Sequence, residues 1–326
     1  MTRLVRPALG LAVAAVLSAG PTRAADPHPL LPADADVVMS VNIRQTLESD
    51  IVKKYALDAL KAQLKENDAQ KLLRDLGLDP LKDLDRVLVG AAGKDETDFK
   101  YLVIVTGSFD PEKLYKAAEA QSRQDADHFA LVKDGKDVMF KYTPDNGNPT
   151  YGTVVDDKTI VLAGDKKGIS TALATPNKGK ADLGREMNTL VKGMDDKATV
   201  WAVALTNGRL DKLNLKGPGA NPAIQAQLGN LRSLSTVVRV EKDVNLNITL
   251  GMKDDDAAAE TGKTVGELLQ TVRGALPFLA ANEPKLKPLV EPAKTLKSEV
   301  KDRNVVITGR VAGTVIGDLI APGKVD

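Results

Sequence analysis

The chain has few side chains suited to acid–base or metal chemistry. Its 326 residues include two histidines and no cysteine. His28 lies in Asp26-Pro27-His28-Pro29, a segment we expect to be unfolded, and His128 lies in a polar stretch that predicts a solvated turn. Zinc sites in proteins are built mainly from Cys and His ligands. The sequence therefore excludes the usual structural and catalytic zinc sites within one chain.

One serine lies in a pattern that partly matches a hydrolase motif. Gly168-Ile169-Ser170-Thr171-Ala172 follows a predicted strand and begins a predicted helix, as the nucleophile elbow of α/β-hydrolases does. Ala172 stands where the elbow has its second glycine, and no histidine follows Ser170 in the chain. A serine hydroxyl needs an adjacent base to act as a nucleophile. We interpret this segment as an ordinary helix start.

Three further motifs have only part of the pattern that ligand binding requires. Thr261-Gly262-Lys263-Thr264 ends like a phosphate-binding loop, but Ala257 stands at the position of the loop's first glycine, so Lys263 is interpreted as a solvent-facing helix lysine. Asp254-Asp255-Asp256 lacks the spacing of a calcium loop and predicts a helix cap. Asp145-Asn146-Gly147-Asn148 is typical of a tight turn. We predict no catalytic, cofactor-binding or metal-binding residues.

The first 24 residues have the pattern of a secretory signal peptide. Arginines precede an uncharged apolar run at 8–19, Gly20-Pro21 ends that run, and Thr22-Arg23-Ala24 places small side chains at both cleavage positions. We expect cleavage between Ala24 and Ala25. The run is shorter than the ~20 residues needed to span a bilayer, and no later segment reaches that length without charges. The mature protein is therefore expected to be soluble, secreted or periplasmic, and without a transmembrane segment.

The charge and the aromatic content limit the class of partner. Lys and Arg number 45 and Asp and Glu 44, so the net charge is +1, whereas phosphate binding needs clustered positive charge. Aromatic residues make up 3% of the chain, which leaves little for stacking on bases or sugars. These values exclude nucleic acid as the main partner. The partner is left open as a protein or a small molecule, and the oligomeric state is not predicted.

Three blocks of sequence recur in the same order in the two halves of the chain. They match 36–43 with 198–205, 81–88 with 231–238, and 155–164 with 300–309. The breaker-rich segment Thr175-Pro176-Asn177-Lys178-Gly179-Lys180 separates the halves. We predict a tandem duplication. The expected domains are the signal peptide at 1–24, a first lobe at 25–174, a linker at 175–186 and a second lobe at 187–326.

Hydrophobic periodicity predicts strands that form hairpins and pack against helices. Apolar residues occupy the even positions of 238–250 except Lys242, which indicates an antiparallel hairpin with one wet face, and Val265, Leu268, Leu269 and Val272 predict a helix over its dry face. Tyr101–Val105 shows no alternation, so we expect that strand to be covered on both sides. The predicted fold class is α+β, with two similar lobes, each a mainly antiparallel sheet covered by helices.

Individual residues predict where several helices begin or break. Asp110-Pro111 predicts a capped helix start, with Leu114 and Ala118 on its buried stripe. Pro284, Pro288 and Pro292 exclude one continuous helix, so broken turns or an extended strap are expected there.

One segment near the start of the chain carries a family resemblance. It is Leu31-Pro32-Ala33-Asp34-Ala35, followed directly by a predicted strand at 37–43 and a helix. It resembles the opening of uncharacterised secreted bacterial proteins of the kind found in planctomycete-like genomes. The later strands around Thr153–Gly164 fit the same resemblance. The resemblance implies secretion and transfers no activity and no functional residues.

We expect an exported, non-catalytic binding or structural module. Two alternatives remain. A carrier of an apolar small molecule predicts a sizeable apolar site between helix and sheet or at the seam of the lobes. A cofactor-free hydrolase predicts a cleft with carboxylates close together. An interaction module predicts an exposed apolar patch, for which Tyr101–Val105 is the candidate.

Overall fold

A computed structural model of the protein describes residues 23–66, 73–93, 98–135, 137–145, 147–174, 181–207, 210 and 222–320. The predicted signal peptide up to residue 22 and most of the predicted linker, 175–180, lie outside these described residues. None of the described helices is both long enough and apolar enough to span a bilayer.

The described strands form one antiparallel sheet of twelve strands. In chain order they are β1 (Val37–Asn42), β2 (Leu84–Ala92), β3 (Lys100–Gly107), β4 (Phe129–Asp134), β5 (Asp137–Tyr142), β6 (Thr150–Asp156), β7 (Thr159–Ala163), β8 (Val200–Leu205), β9 (Leu231–Val240), β10 (Asp243–Met252), β11 (Lys297–Lys301) and β12 (Asn304–Ala312). Their spatial order is β11-β12-β10-β9-β8-β1-β2-β3-β7-β6-β5-β4. The predicted α+β class with antiparallel pairing is confirmed.

The helices lie between and after these strands. They are α1 (Ile43–Glu48), a π-helical turn (Val52–Ala56), α2 (Leu57–Glu66), α3 (Pro111–Gln124), α4 (Lys166–Ala174), α5 (Arg185–Lys192), α6 (Pro222–Leu228), α7 (Asp255–Asn282), a 3-10 helix (Pro284–Leu289), α8 (Val290–Thr295) and α9 (Gly313–Ile320).

The centre of the sheet joins the first strand of each half of the chain. β1 pairs with β8 from Val37↔Ala204 to Val41↔Val200. Counted outwards from this pair, the order is β1-β2-β3-β7-β6-β5-β4 on one side and β8-β9-β10-β12-β11 on the other. Both halves therefore lie in one sheet, and the two-lobe division, its boundaries and the duplication stay predictions.

One face of the sheet is closed by a continuous apolar core, and we name it the closed face. Val38 and Ile104 are fully buried there, and Trp201 is 2% exposed. Ile169 of α4 and Met187 of α5 pack into the same core. The segment before β1 also contributes, through Ala25, Leu31 and Ala35. Burial of this core is the main stabilising contribution to the centre of the sheet.

The opposite face is covered by helices at its two ends. At one end, Leu114 and Ala118 of α3 pack on Phe129 and Ile160. At the other end, Ala257 and Ala258 of α7 pack on Leu231, Met252 and Val305. Between these ends lies the centre of the sheet.

Several predicted helix signals are confirmed. The Asp110 carboxylate accepts from the Lys113 N–H at 3.0 Å, and the Asp254 carboxylate accepts from the Ala257 N–H at 2.8 Å. The proline-rich segment forms a 3-10 helix and a short α-helix instead of one long helix. Each cap satisfies a backbone donor that has no partner within its helix.

The predicted stripe of α7 is only partly right. Val265 is partly buried against the core of this end, but Val272 is 37% exposed. The helix contacts the sheet mainly through small residues near its start. A Cβ on Gly262 would lie 2.2 Å from Val300 Cγ2, so the absence of a side chain there allows α7 to approach β11 closely.

The two faces of β1 can be compared with neighbouring valines. We expect Val38→Ala to lower the free energy of unfolding by about 2 kcal/mol, because the lost methyl groups leave a cavity in a closed core. Val37 is 40% exposed on the other face, so Val37→Ala should cost well under half as much. Chemical denaturation of both variants measures the difference. Equal losses would contradict the assignment of the closed face.

Candidate functional site

The structure places two of the sequence-identified motifs, those around Ser170 and Lys263, inside regular helices. Ser170 lies in the second turn of α4, with its Oγ 2.8 Å from an Asp134 carboxylate oxygen and 3.1 Å from the Lys166 carbonyl oxygen. Thr261 is buried within α7 and Lys263 is exposed on that helix, as predicted. Neither histidine makes a described hydrogen bond to Ser170, so its hydroxyl lacks the imidazole base of a hydrolase triad, and its described side-chain partner is the Asp134 carboxylate.

The prediction for His28 is wrong. The segment around it is folded, because its carbonyl accepts from the Leu31 N–H at 3.0 Å and its Nδ1 lies 3.3 Å from the Leu30 nitrogen. Leu31 is 4% exposed and belongs to the core of the closed face. Burial lowers the pKa of His28, which favours its neutral form. Leu31, an apolar anchor six residues before the first strand, therefore orders a segment that its composition alone predicts to be an unfolded tail.

His128 is held between two carboxylates. Its Nδ1 lies 2.7 Å from Asp125 Oδ1, and its Nε2 lies 2.8 Å from Asp145 Oδ1. Hydrogen bonds to Asp125 and then Asp145 raise the pKa of His128 to about 9. The imidazole is therefore charged at neutral pH and is a poor general base. It ties the end of α3 to the loop after β5, and Asn146 of that loop lies outside the described residues.

The centre of the sheet carries an apolar surface on the side opposite the closed face. The strand registers place the following side chains on this side, none of which is buried, and we name them the central apolar face: Val37, Met39, Val41, Val87, Val89, Val103, Val200, Ala202, Val238, Leu246 and Ile248. Val37 and Met39 are 40% and 36% exposed. On the closed face, their neighbours Val38 and Ser40 are 0% and 1% exposed.

This surface corrects the prediction for Tyr101–Val105. Leu102 and Ile104 are buried on the closed face, whereas Val103 is only partly covered on the central apolar face. The strand is therefore fully covered on one side, and Val103 is its contribution to a wider apolar surface. That surface includes strands from both halves, which the sequence does not indicate because pairing across the halves is a long-range property.

A cleft with several lysines lies at one end of the sheet. It has a volume of about 680 Å³, and we name it the lysine cleft. Its lining consists of Asp50, Ile51, Lys53, Lys54, Tyr55, Lys242, Asp243, Ala312, Gly313 and Thr314. These residues come from the π-helical turn and the two residues before it, the β9–β10 turn with the first residue of β10, the end of β12 and the start of α9.

Two further clefts lie elsewhere on the described part of the chain. One, of about 770 Å³, lies where β5 and β6 part, and Glu119 and Asp137 are among its lining residues. There the Val138 carbonyl accepts from Thr153 Oγ1 at 3.0 Å, in place of a ladder bond. The other, of about 330 Å³, includes the Arg239–Asp195 pair, with two nitrogen–oxygen distances of 2.9 and 2.7 Å.

The described residues do not bring three or more His, Asp or Glu side chains together in a metal-binding arrangement. Asp254 serves as the cap of α7, and Asp255 and Asp256 lie in the first turn of the same helix. Carboxylates near a helix N-terminus are stabilised by its dipole, which accounts for the acidic cluster.

The His128 clamp should stabilise the fold in a pH-dependent way. Its folded-state pKa of about 9 exceeds the ordinary value of 6.5, so the stabilisation is complete below about pH 6.5 and is lost as pH rises through 9. We expect His128→Gln to lower the melting temperature most at pH 6 and hardly at all near pH 10. Melting curves across this range provide the measurement. A deficit that does not change with pH would contradict the clamp.

The chain contains no cysteine, so single cysteines can report on the two faces of β1. Met39→Cys should react with Ellman's reagent in the native state, because Met39 is 36% exposed. Val38→Cys should react at least about a hundredfold more slowly than Met39→Cys. Its thiol would lie in the closed core, and the reagent would reach it only after unfolding. Similar rates for both variants would show that the central apolar face is not open.

Comparison with known proteins supports the fold alone. No protein-family model and no curated protein matches the sequence. Two solved structures are similar: crystal form I of TP0453, with a TM-score of 0.50 and 11% identity over 91% of this chain and 99% of that chain, and crystal form IV, with a TM-score of 0.49 and 11% identity over 91% and 96%. At this identity, the similarity to form I indicates a shared α+β architecture of nearly full length.

Proposed function

We propose that this protein is an exported, non-catalytic binding module, and that its ligand is an apolar small molecule that lies on the central apolar face. The observation that supports this proposal is the contrast between the two sides of β1. Val38 and Ser40 are sealed on one side, while Val37 and Met39 remain accessible on the other. Large contiguous apolar surfaces on soluble domains commonly mark binding sites.

The energetics favour an occupant on this surface. Covering a few hundred Å² of apolar area contributes several kcal/mol, at about 25 cal/mol per Å². Part of this gain is offset by the loss of translational and rotational freedom on association. The helices α3 and α7 cover the two ends of the same side of the sheet, so a ligand of limited size would lie between them.

The described residues favour the binding of a small ligand over the hydrolase alternative. The hydrolase alternative requires an activated group in a cleft, and the Glu119 and Asp137 carboxylates of the β5–β6 cleft are its candidates. Ser170 in that cleft donates to the Asp134 carboxylate and contacts the Lys166 carbonyl. His128 lies elsewhere and is held in its charged form between two aspartates. No described group therefore places an imidazole base beside a nucleophile, and the described side-chain partner of Ser170 is the Asp134 carboxylate.

Export belongs to the same proposal. Cleavage after Ala24 would retain Ala25, which is 1% exposed in the closed core and donates its N–H to the Met194 carbonyl at 2.9 Å. Cleavage there would also remove the Arg23 carbonyl that accepts from the Asp196 N–H at 2.8 Å and the bridge between Ala24 and Asp195. The periplasm or the exterior would be the place where an apolar ligand is bound.

A charge on the central apolar face should abolish binding of an apolar probe. We expect native protein to bind decanol in calorimetric titrations, and Met39→Glu to weaken this binding about tenfold or more, because an ionised carboxylate is costly beside an apolar ligand. Asn245→Glu is the matched control. Asn245 is exposed on the opposite side of β10, next to Arg239 and Arg310 in the strand registers, so this variant should bind decanol normally.

Melting temperatures of both variants identify any loss of folding. Failure of the native protein to bind decanol would contradict an apolar small-molecule ligand. Equal losses in both variants would place the binding elsewhere. Displacement of the probe by a co-purified protein would favour a protein partner on this surface instead.

A further inference from the structure

The lysine cleft carries an excess of positive charge. Lys53, Lys54 and Lys242 line it, and all three are exposed. None of them makes an ion pair within the described part of the chain. Lys54 Nζ lies 4.8 Å from the centre of the Tyr55 ring, and its hydrogen bond with Tyr55 raises the pKa of Lys54, which keeps the ammonium charged.

The carboxylates of the cleft only partly offset this charge. Asp243 accepts from the Gly313 N–H at 3.0 Å and is paired with the Arg310 guanidinium, and these contacts lower the pKa of Asp243. Arg310 therefore balances Asp243, and Asp50 is the remaining acid among the lining residues. Three ammonium groups thus face one further carboxylate.

Helix packing fixes the position of this cleft at the end of the sheet. The Ile51 N–H donates to the Glu241 carbonyl at 3.2 Å, which holds the π-helical turn against the β9–β10 turn. A Cβ on Gly317 would lie 2.5 Å from the Tyr55 ring, and one on Gly313 would lie 3.2 Å from Ile51 Cγ1. Gly317 therefore lets α9 lie directly against Tyr55 of the π-helical turn, and Gly313 lets it approach Ile51 and the Lys242 carbonyl of the β9–β10 turn.

The same end of the sheet is where the central apolar face terminates. Val41 and Val200 are paired at the end of β1 nearest α1, and Val200 is paired with Val238, two residues before the last residue of β9. The β9–β10 turn follows directly and supplies Lys242 to the cleft. From Val41 the face extends along β1 to Val37, about 13 Å at the usual rise of a strand.

We propose that the lysine cleft binds the anionic head group of an amphiphilic ligand whose apolar part lies on the central apolar face. This inference rests on the proposed function and names the class of its ligand. The head group is a carboxylate or a phosphate, because both accept hydrogen bonds and charge from lysine ammonium groups. The lysines supply the charge recognition, and the valines of the face supply the apolar contact.

The test compares ligands with the same chain and different head groups. Decanol, decanoate and decyl phosphate are titrated into the native protein at physiological salt. We expect both anions to bind about tenfold more tightly than decanol, since three exposed ammonium groups each contribute modestly at this ionic strength. The ratio of decanoate to decyl phosphate affinity distinguishes the two head-group chemistries.

Charge-removal variants locate the effect. Lys53→Gln, Lys54→Gln and Lys242→Gln combined should reduce the affinity for both anions to that for decanol and leave decanol binding unchanged. The matched control combines Lys116→Gln, Lys133→Gln and Lys158→Gln, three exposed lysines that do not line the cleft. It removes the same charge and should leave all three affinities unchanged.

The outcomes separate this inference from the proposed function. Binding of decanol with no preference for the anions would overturn the lysine cleft as a head-group site and leave the proposed function standing. Equal loss of anion affinity in the cleft variant and in the control would show a general charge effect and would also overturn it. Absence of binding by all three ligands would instead overturn the proposed function.

Discussion

The pairing of β1 with β8 is the interaction on which the rest of the structure depends. These strands begin the two halves of the chain, and their register from Val37↔Ala204 to Val41↔Val200 turns two sets of strands into one sheet. The pairing is remote in sequence, so its chain-entropy cost has to be offset by burial around it. Val38, Trp201 and Val203 supply that burial on the closed face, together with Ala25 and Leu31 from the segment before β1.

The same pairing produces the asymmetry that suggests a function. A strand with apolar residues on both sides needs cover on both sides, and here α4 and α5 contribute to the cover of one side, while α3 and α7 reach only the ends of the other. The exposed centre is made by strands of both halves, so it exists only when β1 and β8 are joined. An apolar site of this kind is a product of the seam, and each half alone would lack it.

Local signals in the sequence predict much of the fold, and long-range contacts account for what they miss. Asp110 and Asp254 act as helix caps, and the β9–β10 hairpin lies where alternation predicts it, because caps and alternation depend on neighbouring residues. The His128 clamp depends on Asp145, 17 residues away, and was not indicated by the polar stretch around it. The sequence also does not indicate the central apolar face as a whole, because strands of both halves form it. The one local signal for it is the run Val37-Val38-Met39, because consecutive apolar residues place apolar side chains on both sides of a strand.

Hydrogen exchange of the native protein tests the central pairing most directly. If β1 and β8 form the centre of one sheet, their backbone amides should exchange only through global unfolding, with the same free energy as the amides of β2 and β9. Exchange of the β1 and β8 amides through a low-energy opening, while β2 and β9 stay protected, would contradict the account. The two halves would then be separable lobes, and the apolar surface between them would not be a fixed site.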